Sequence, residues 1–89
     1  MSEVKEGQIY ECVKPVHVVV LGCGTEEVNP ELKEKSTIKL TETAKYYYVD
    51  ARIITGGFIE DLPEYKGSKL IMVNVDSLNP EKGFFRRLR

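Results

Sequence analysis

Apolar and polar positions alternate along this chain in short runs separated by turn-forming residues, a pattern of strands and not of long helices. Ile9–Lys14 is rich in β-formers (Ile9, Tyr10, Val13), and Pro15 ends the run by removing a backbone donor. Val16–Leu21 follows as a nearly continuous β-branched stretch with His17 as its sole polar member, the signature of a strand buried on both faces. Pro15 between the two runs predicts a bend or bulge within one long strand. Thr37–Leu40 places Ile38 and Leu40 inward and Lys39 outward, and Lys69–Val75 is the clearest strand of the second half. Phe58–Leu62 reads as a further short strand that ends at Pro63.

The stretch after Leu40 supports two readings. At helical spacing Ala44, Tyr47, Tyr48 and Ala51 share a face, with Thr41 as N-cap and Glu42 in the first turn, which predicts a short helix near residues 42–50. At strand spacing Tyr47, Val49, Ala51 and Ile53 share a face, and three consecutive tyrosines favour the extended form. Gly56-Gly57 breaks whichever forms. Gly22–Lys35 (GCGTEEVNPELKEK) predicts a long loop, and its length suggests a role in contacts. Asn79-Pro80-Glu81 has the grammar of a helix start, but Gly83 follows so soon that one turn and then an extended FFRRLR arm is expected. The expected fold is therefore mainly β, a small barrel or two-sheet roll of five to six short strands.

Eighty-nine residues make a single domain, 1–89, with a flexible N-terminus over residues 1–7. A chain of this size buries about 60% of its unfolded surface, so one modest core is expected. The 42% apolar and 30% charged content is that of a folded protein. The opening MSEVKEGQ lacks the apolar run of a signal peptide, and the longest apolar run, Val18–Leu21, is far too short to cross a bilayer. These features predict a soluble protein without membrane partners, acting in the cytoplasm or in an assembly built there. Cys12 and Cys23 are too few for a disulfide framework and read as two reduced thiols, although a bridge between neighbouring strands stays open.

Catalytic chemistry finds little footing. His17 is the single histidine, and Cys23 lies in a glycine-flanked bend without a nucleophile's setting. Together with Cys12 they make only three thiol or imidazole side chains, short of a structural zinc set. Gly22-Cys23-Gly24 lacks the further glycines and the helix of a phosphate loop. The acidic groups Glu26, Glu27, Glu31 and Glu34, and Glu60, Asp61 and Glu64, lack the alternation of a calcium loop and read as solvated charge. No catalytic, cofactor-binding or metal-ligating residue is assigned, and an enzyme is not expected.

Two aromatic segments remain. Tyr46–Tyr48, with Lys45 and Arg52 nearby, has the composition of a stacking platform for single-stranded nucleic acid, but packing of the rings into the core is the preferred reading in an acidic body. Residues 81–89 carry Lys82, Arg86, Arg87 and Arg89 against Glu81, which leaves nine basic and thirteen acidic side chains in the rest. In that tail Phe84, Phe85 and Leu88 are too apolar for water, and Arg86, Arg87 and Arg89 too charged for unpaired burial. Either the rings close one end of the core and the arginines ring its rim, or Phe84–Arg89 is an arm that binds another protein.

Lys14-Pro15-Val16, Ser36–Glu42, Ala44 and Ile53-Ile54 form a pattern that resembles small SH3-like, head-associated accessory proteins of tailed bacteriophages. The resemblance spans roughly residues 9–55. A glycine usual before the "LTE" strand is Lys35 here, another usual after Ala51 is Arg52, and Phe58–Arg89 has no counterpart. It implies a non-enzymatic SH3-like barrel attached to a virion head, a setting that suits a docking arm. The leading expectation is a non-catalytic structural or accessory protein bound to a larger assembly, such as a capsid, or to copies of itself. A nucleic-acid-binding regulator using the basic tail, and an inhibitor that binds a host protein, are the alternatives.

Overall fold

The computed structural model describes residues 4–21, 30–60 and 67–89. The segments outside those ranges include Cys23, most of the Gly22–Lys35 loop, Glu26, Glu27, Asp61, Glu64 and the Leu62-Pro63 end of the expected strand, so expectations about them lie outside the described residues.

The fold is mainly β. In chain order the strands are β1 (Ile9–Cys12), β2 (Val16–His17), β3 (Val19–Val20), β4 (Glu31–Leu32), β5 (Thr37–Leu40), β6 (Tyr48–Thr55), β7 (Leu70–Asn74) and β8 (Phe85–Arg87). Six of them form one antiparallel sheet in the order β3-β7-β6-β5-β1-β8, and β2 pairs with β4 in a second, two-stranded sheet. The main sheet does not close: β3 and β8 are its edges. Of the two architectures expected, the barrel is thereby corrected to an open arrangement of a large and a small sheet. Strands of two to five residues leave too little ladder for the main sheet to curl back on itself, β6 alone being longer.

One core lies on the inner face. Period-two alternation turns Tyr10 and Cys12 of β1, Ile38 and Leu40 of β5, Val49, Ala51 and Ile53 of β6, Ile71 and Val73 of β7, and Phe85 of β8 inward. Val16 and Leu32 of the small sheet close it, together with Val18 between β2 and β3 and Val20 of β3. The expected Val16–Leu21 strand exists, but in two pieces. Its first half pairs with β4 and its second with β7, so the run walks from one sheet to the other. It is not buried on both faces as expected, because Val16, Val18 and Val20 are buried while His17 is exposed and Val19 and Leu21 are partly exposed. Pro15 does mark a bend, with β1 ending at Cys12 and Val13–Lys14 turning.

The helix near residues 42–50 is not formed. Residues 41–47 are bends and irregular chain, and β6 begins at Tyr48. The residues that imitate a helix start make other bonds. Glu42 Oε2 accepts from the Asp50 backbone N–H at 3.0 Å, Thr43 Oγ1 accepts from the Glu6 N–H at 3.1 Å, and the Ala44 N–H donates to the Val4 carbonyl at 3.0 Å. Glu42, expected in the first turn of that helix, together with Thr43 and Ala44, instead ties the β5–β6 connection to the sheet and to the N-terminal segment.

The Asn79-Pro80-Glu81 signal is realised as a 3-10 turn over Pro80–Lys82, where Asn79 Oδ1 accepts from the Glu81 N–H and Gly83 closes the turn at φ 74°. A preceding turn, Val75–Leu78, is capped in the same way by Asn74.

Candidate docking surface

The C-terminal segment is a strand against the body. β8 pairs antiparallel with β1 in the register Tyr10↔Arg87, Glu11↔Arg86 and Cys12↔Phe85. Phe85 is 3% exposed and meets Tyr10 edge to face, with ring centroids 6.3 Å apart. The Tyr10 hydroxyl donates to Gln8 Oε1 at 2.8 Å, so burial of this ring leaves no orphaned polar atom. Phe84 is partly buried and lies under the Lys14 ammonium, 4.6 Å from its ring centre. Arg86 bonds Glu11 across the ladder at 2.6 Å, and the Arg87 Nε donates to the Arg89 carbonyl at 3.0 Å. Leu88 is half exposed while its N–H donates to the Ile9 carbonyl at 2.7 Å. Of the six residues expected to bind protein, Phe85 is thus core, Phe84 is shared, and Arg86, Arg87, Leu88 and Arg89 stay at the surface.

Among the described residues, the ladder geometry leaves one row of backbone groups without a bonding partner. Val13 donates to the Phe84 carbonyl and Leu88 to the Ile9 carbonyl, while the Ile9 N–H donates to the Arg89 carbonyl at 3.1 Å. With the Glu11↔Arg86 register this turns the backbone groups of Phe84, Arg86 and Leu88 towards β1. The N–H and C=O of Phe85 and Arg87 point away from β1, along the free edge. Beside that edge runs a groove of about 430 Å³ lined by Tyr10, Val13, Leu78, Pro80, Gly83, Phe85, Arg86 and Arg87. Its floor is apolar and its rim carries guanidinium groups.

The tyrosine triplet is not in the core, contrary to the preferred expectation. Tyr46 and Tyr47 are 83% and 82% exposed and Tyr48 is 47% exposed. Tyr47 has the inward parity of Val49, Ala51 and Ile53, but it precedes the strand, where no neighbouring strand covers it. A second groove, about 580 Å³, runs from Tyr48, Asn74 and Ser77 to Phe84 and to Pro15–Val19. Tyr46–Tyr48 and β8 therefore make two separate apolar surfaces.

The remaining titratable candidates are placed simply. His17 lies exposed on β2, opposite Glu31 in the ladder. Cys12 is a free, buried thiol, pushed up to about 11 by burial, with a hydrogen bond to the Lys14 backbone opposing the shift and Glu34 and Glu11 adding to it. Tyr10 is also raised by burial, against the nearby Arg87 charge. Asp50 is raised by desolvation and then by Glu42. Among the described residues no group of three or more His, Cys, Asp or Glu is arranged to hold a metal ion, and no helix is long and apolar enough to cross a membrane. No family model, curated protein or solved structure matches the chain.

Proposed function

We propose that this protein is a non-catalytic accessory module that docks onto a larger protein assembly, a phage head being the setting the sequence resemblance suggests. The observation that carries the reading is the β8 edge, a backbone row unpaired among the described residues and flanked by an apolar groove and arginines. Proteins usually cover or blunt such edges, and an open one is a template for added chain. The exposed Tyr46 and Tyr47 add a second sticky surface of the kind that interfaces favour.

The test is sedimentation of the tagged chain after co-expression with the genes that flank its own. Travel with a large particle sustains the reading, and a chain that stays at the top of the gradient under every condition ends it.

The exposure of Tyr46 and Tyr47 beside Lys45 also favours a second reading, single-stranded nucleic-acid binding. That reading requires polarisation of a labelled oligonucleotide at low salt, lost as salt rises and lost in Tyr46→Ala/Tyr47→Ala. An unaltered signal in the double variant removes it.

A further inference from the structure

Resting on the docking reading, we infer that β8 accepts an extended, acidic segment of a partner protein as a seventh strand of the main sheet. Four features of the edge select this occupant. First, the outward N–H and C=O groups of Phe85 and Arg87 offer an incoming strand two bonding positions a strand repeat apart. Second, alternation puts every other incoming side chain over the groove floored by Tyr10, Leu78 and Phe85, which suits a β-branched apolar residue. Third, the positions beside it meet charge. Arg87 shares the inward parity of Phe85 and Arg86 has the opposite parity, that of Glu11, and both guanidiniums reach the groove, so a carboxylate on the added strand finds a guanidinium. Neither Arg87 nor Arg89 has an ion-pair partner among the described residues, whereas Arg86 already shares Glu11.

The fourth feature argues against a second copy. Antiparallel self-pairing about Arg86 or about Arg87 sets guanidinium directly against guanidinium, which is unfavourable. Pairing about Phe85 runs the strand into Gly83, whose left-handed backbone ends the extended chain. The edge thus repels its own kind and attracts a strand of opposite charge, a division of roles that edge arginines serve well.

The probe is a short fluorescein-labelled peptide alternating glutamate and valine, titrated with the full chain at low salt. Saturable binding is expected, with slowed amide hydrogen exchange at Phe85 and Arg87, and the lysine–valine counterpart should stay unbound. Arg87→Gln keeps the outward N–H and removes a charge, and should weaken binding by about tenfold, an effect that shrinks with salt. Arg87→Pro also removes the N–H and should abolish binding. A glutamate–valine peptide N-methylated at alternate residues gives the same answer on the unaltered chain, because it cannot complete the ladder.

No binding of the acidic peptide, equal binding of the methylated one, or unchanged exchange at Phe85 and Arg87 overturns the proposal. So does a chain that dimerises and loses its dimer in Arg87→Pro. Failure of the peptide while the chain still travels with the particle defeats strand addition alone. Peptide binding without particle association defeats the accessory role alone.

Discussion

Tyr46–Tyr48 and Phe84–Phe85 are both aromatic runs beside basic side chains, and the fold treats them oppositely. Phe85 is 3% exposed and Tyr47 is 82% exposed. Hydrophobicity alone does not explain a difference of that size. What separates them is whether a ladder partner sits alongside. Phe85 is opposite Cys12 in a formed pair, which fixes its side chain inward against Tyr10. Tyr47 precedes β6, although its backbone carbonyl accepts from the Val75 N–H at 2.8 Å. Inward parity buries a ring only where the sheet extends far enough to receive it.

The largest effect should come from shortening the buried ring. Phe85→Ala removes a fully packed side chain and should cost about 3–4 kcal/mol in chemical denaturation. Tyr47→Ala should change stability by less than about 0.5 kcal/mol. Similar losses for the two would break the comparison, since they would mean that Tyr47 carries packing in solution. The same pair separates fold from contact: the tyrosine variant stays folded and so can be assayed for particle association.

The two ends of β6 extend the contrast. Its first residue follows the exposed tyrosines, and its last leads into Gly56, held against Ser36. Ser36 is fully buried; its Oγ donates to the Gly57 carbonyl and accepts from the Gly57 N–H, both at 3.1 Å. A Cβ on Gly56 would come 2.4 Å from Ser36 Oγ and 2.7 Å from its Cα, at φ +81°. Gly56→Ala should therefore cost about 2–3 kcal/mol, read as a lower denaturation midpoint. An alanine at Tyr46, at the loose end, should leave the midpoint in place.

Much of this architecture was legible and some of it was not, for identifiable reasons. Strict alternation in Thr37–Leu40 and the apolar run of Lys69–Val75 declared β5 and β7, because period two has no other use there. The Asn79 turn was legible because side-chain capping is local. The helix expected near residues 42–50 rested on Thr41 as N-cap and Glu42 in the first turn. Glu42 instead bonds the Asp50 N–H while Thr43 and Ala44 bond Glu6 and Val4, and the last two contacts lie beyond any window of neighbours. In the tail, composition posed a choice between sealing the core and docking outward. It could not show that Phe85 would turn inward on a strand, because that depends on pairing with β1, some 75 residues away.

Cys12 reports on the seal made by β8, since it lies directly across from Phe85. Its folded-state pKa is raised from 9.0 to about 11, so the folded protein prefers the neutral thiol more strongly than the unfolded chain does. The resulting stability is fully present below pH 9 and is lost as pH rises through 9 towards 11. Thermal unfolding across that range should show a decline that is shallower in Cys12→Ala, which lacks the thiol. Equal slopes would mean that water reaches Cys12 past β8, which weakens the view of Phe85 as a closed plug.

A modest gain in stability is expected at the residue bonded to Cys12. The Lys35 N–H donates to the Cys12 carbonyl at 2.8 Å while Lys35 adopts φ +73°, the one positive φ of a non-glycine residue among those described. This is also where the phage-type pattern carries a glycine. A lysine in the left-handed region bears a Cβ–carbonyl contact that glycine lacks, but glycine has more freedom to lose from the unfolded chain. The first effect is the larger at a fixed left-handed turn, so Lys35→Gly should stabilise by about 0.5–1 kcal/mol. Because the bond it shortens strain around is the one that holds β1 beside the turn, the gain should come without altering Phe85 burial, seen as unchanged near-ultraviolet circular dichroism. A loss of stability instead would show that the Lys35 side chain contributes more to the turn than its backbone strain removes.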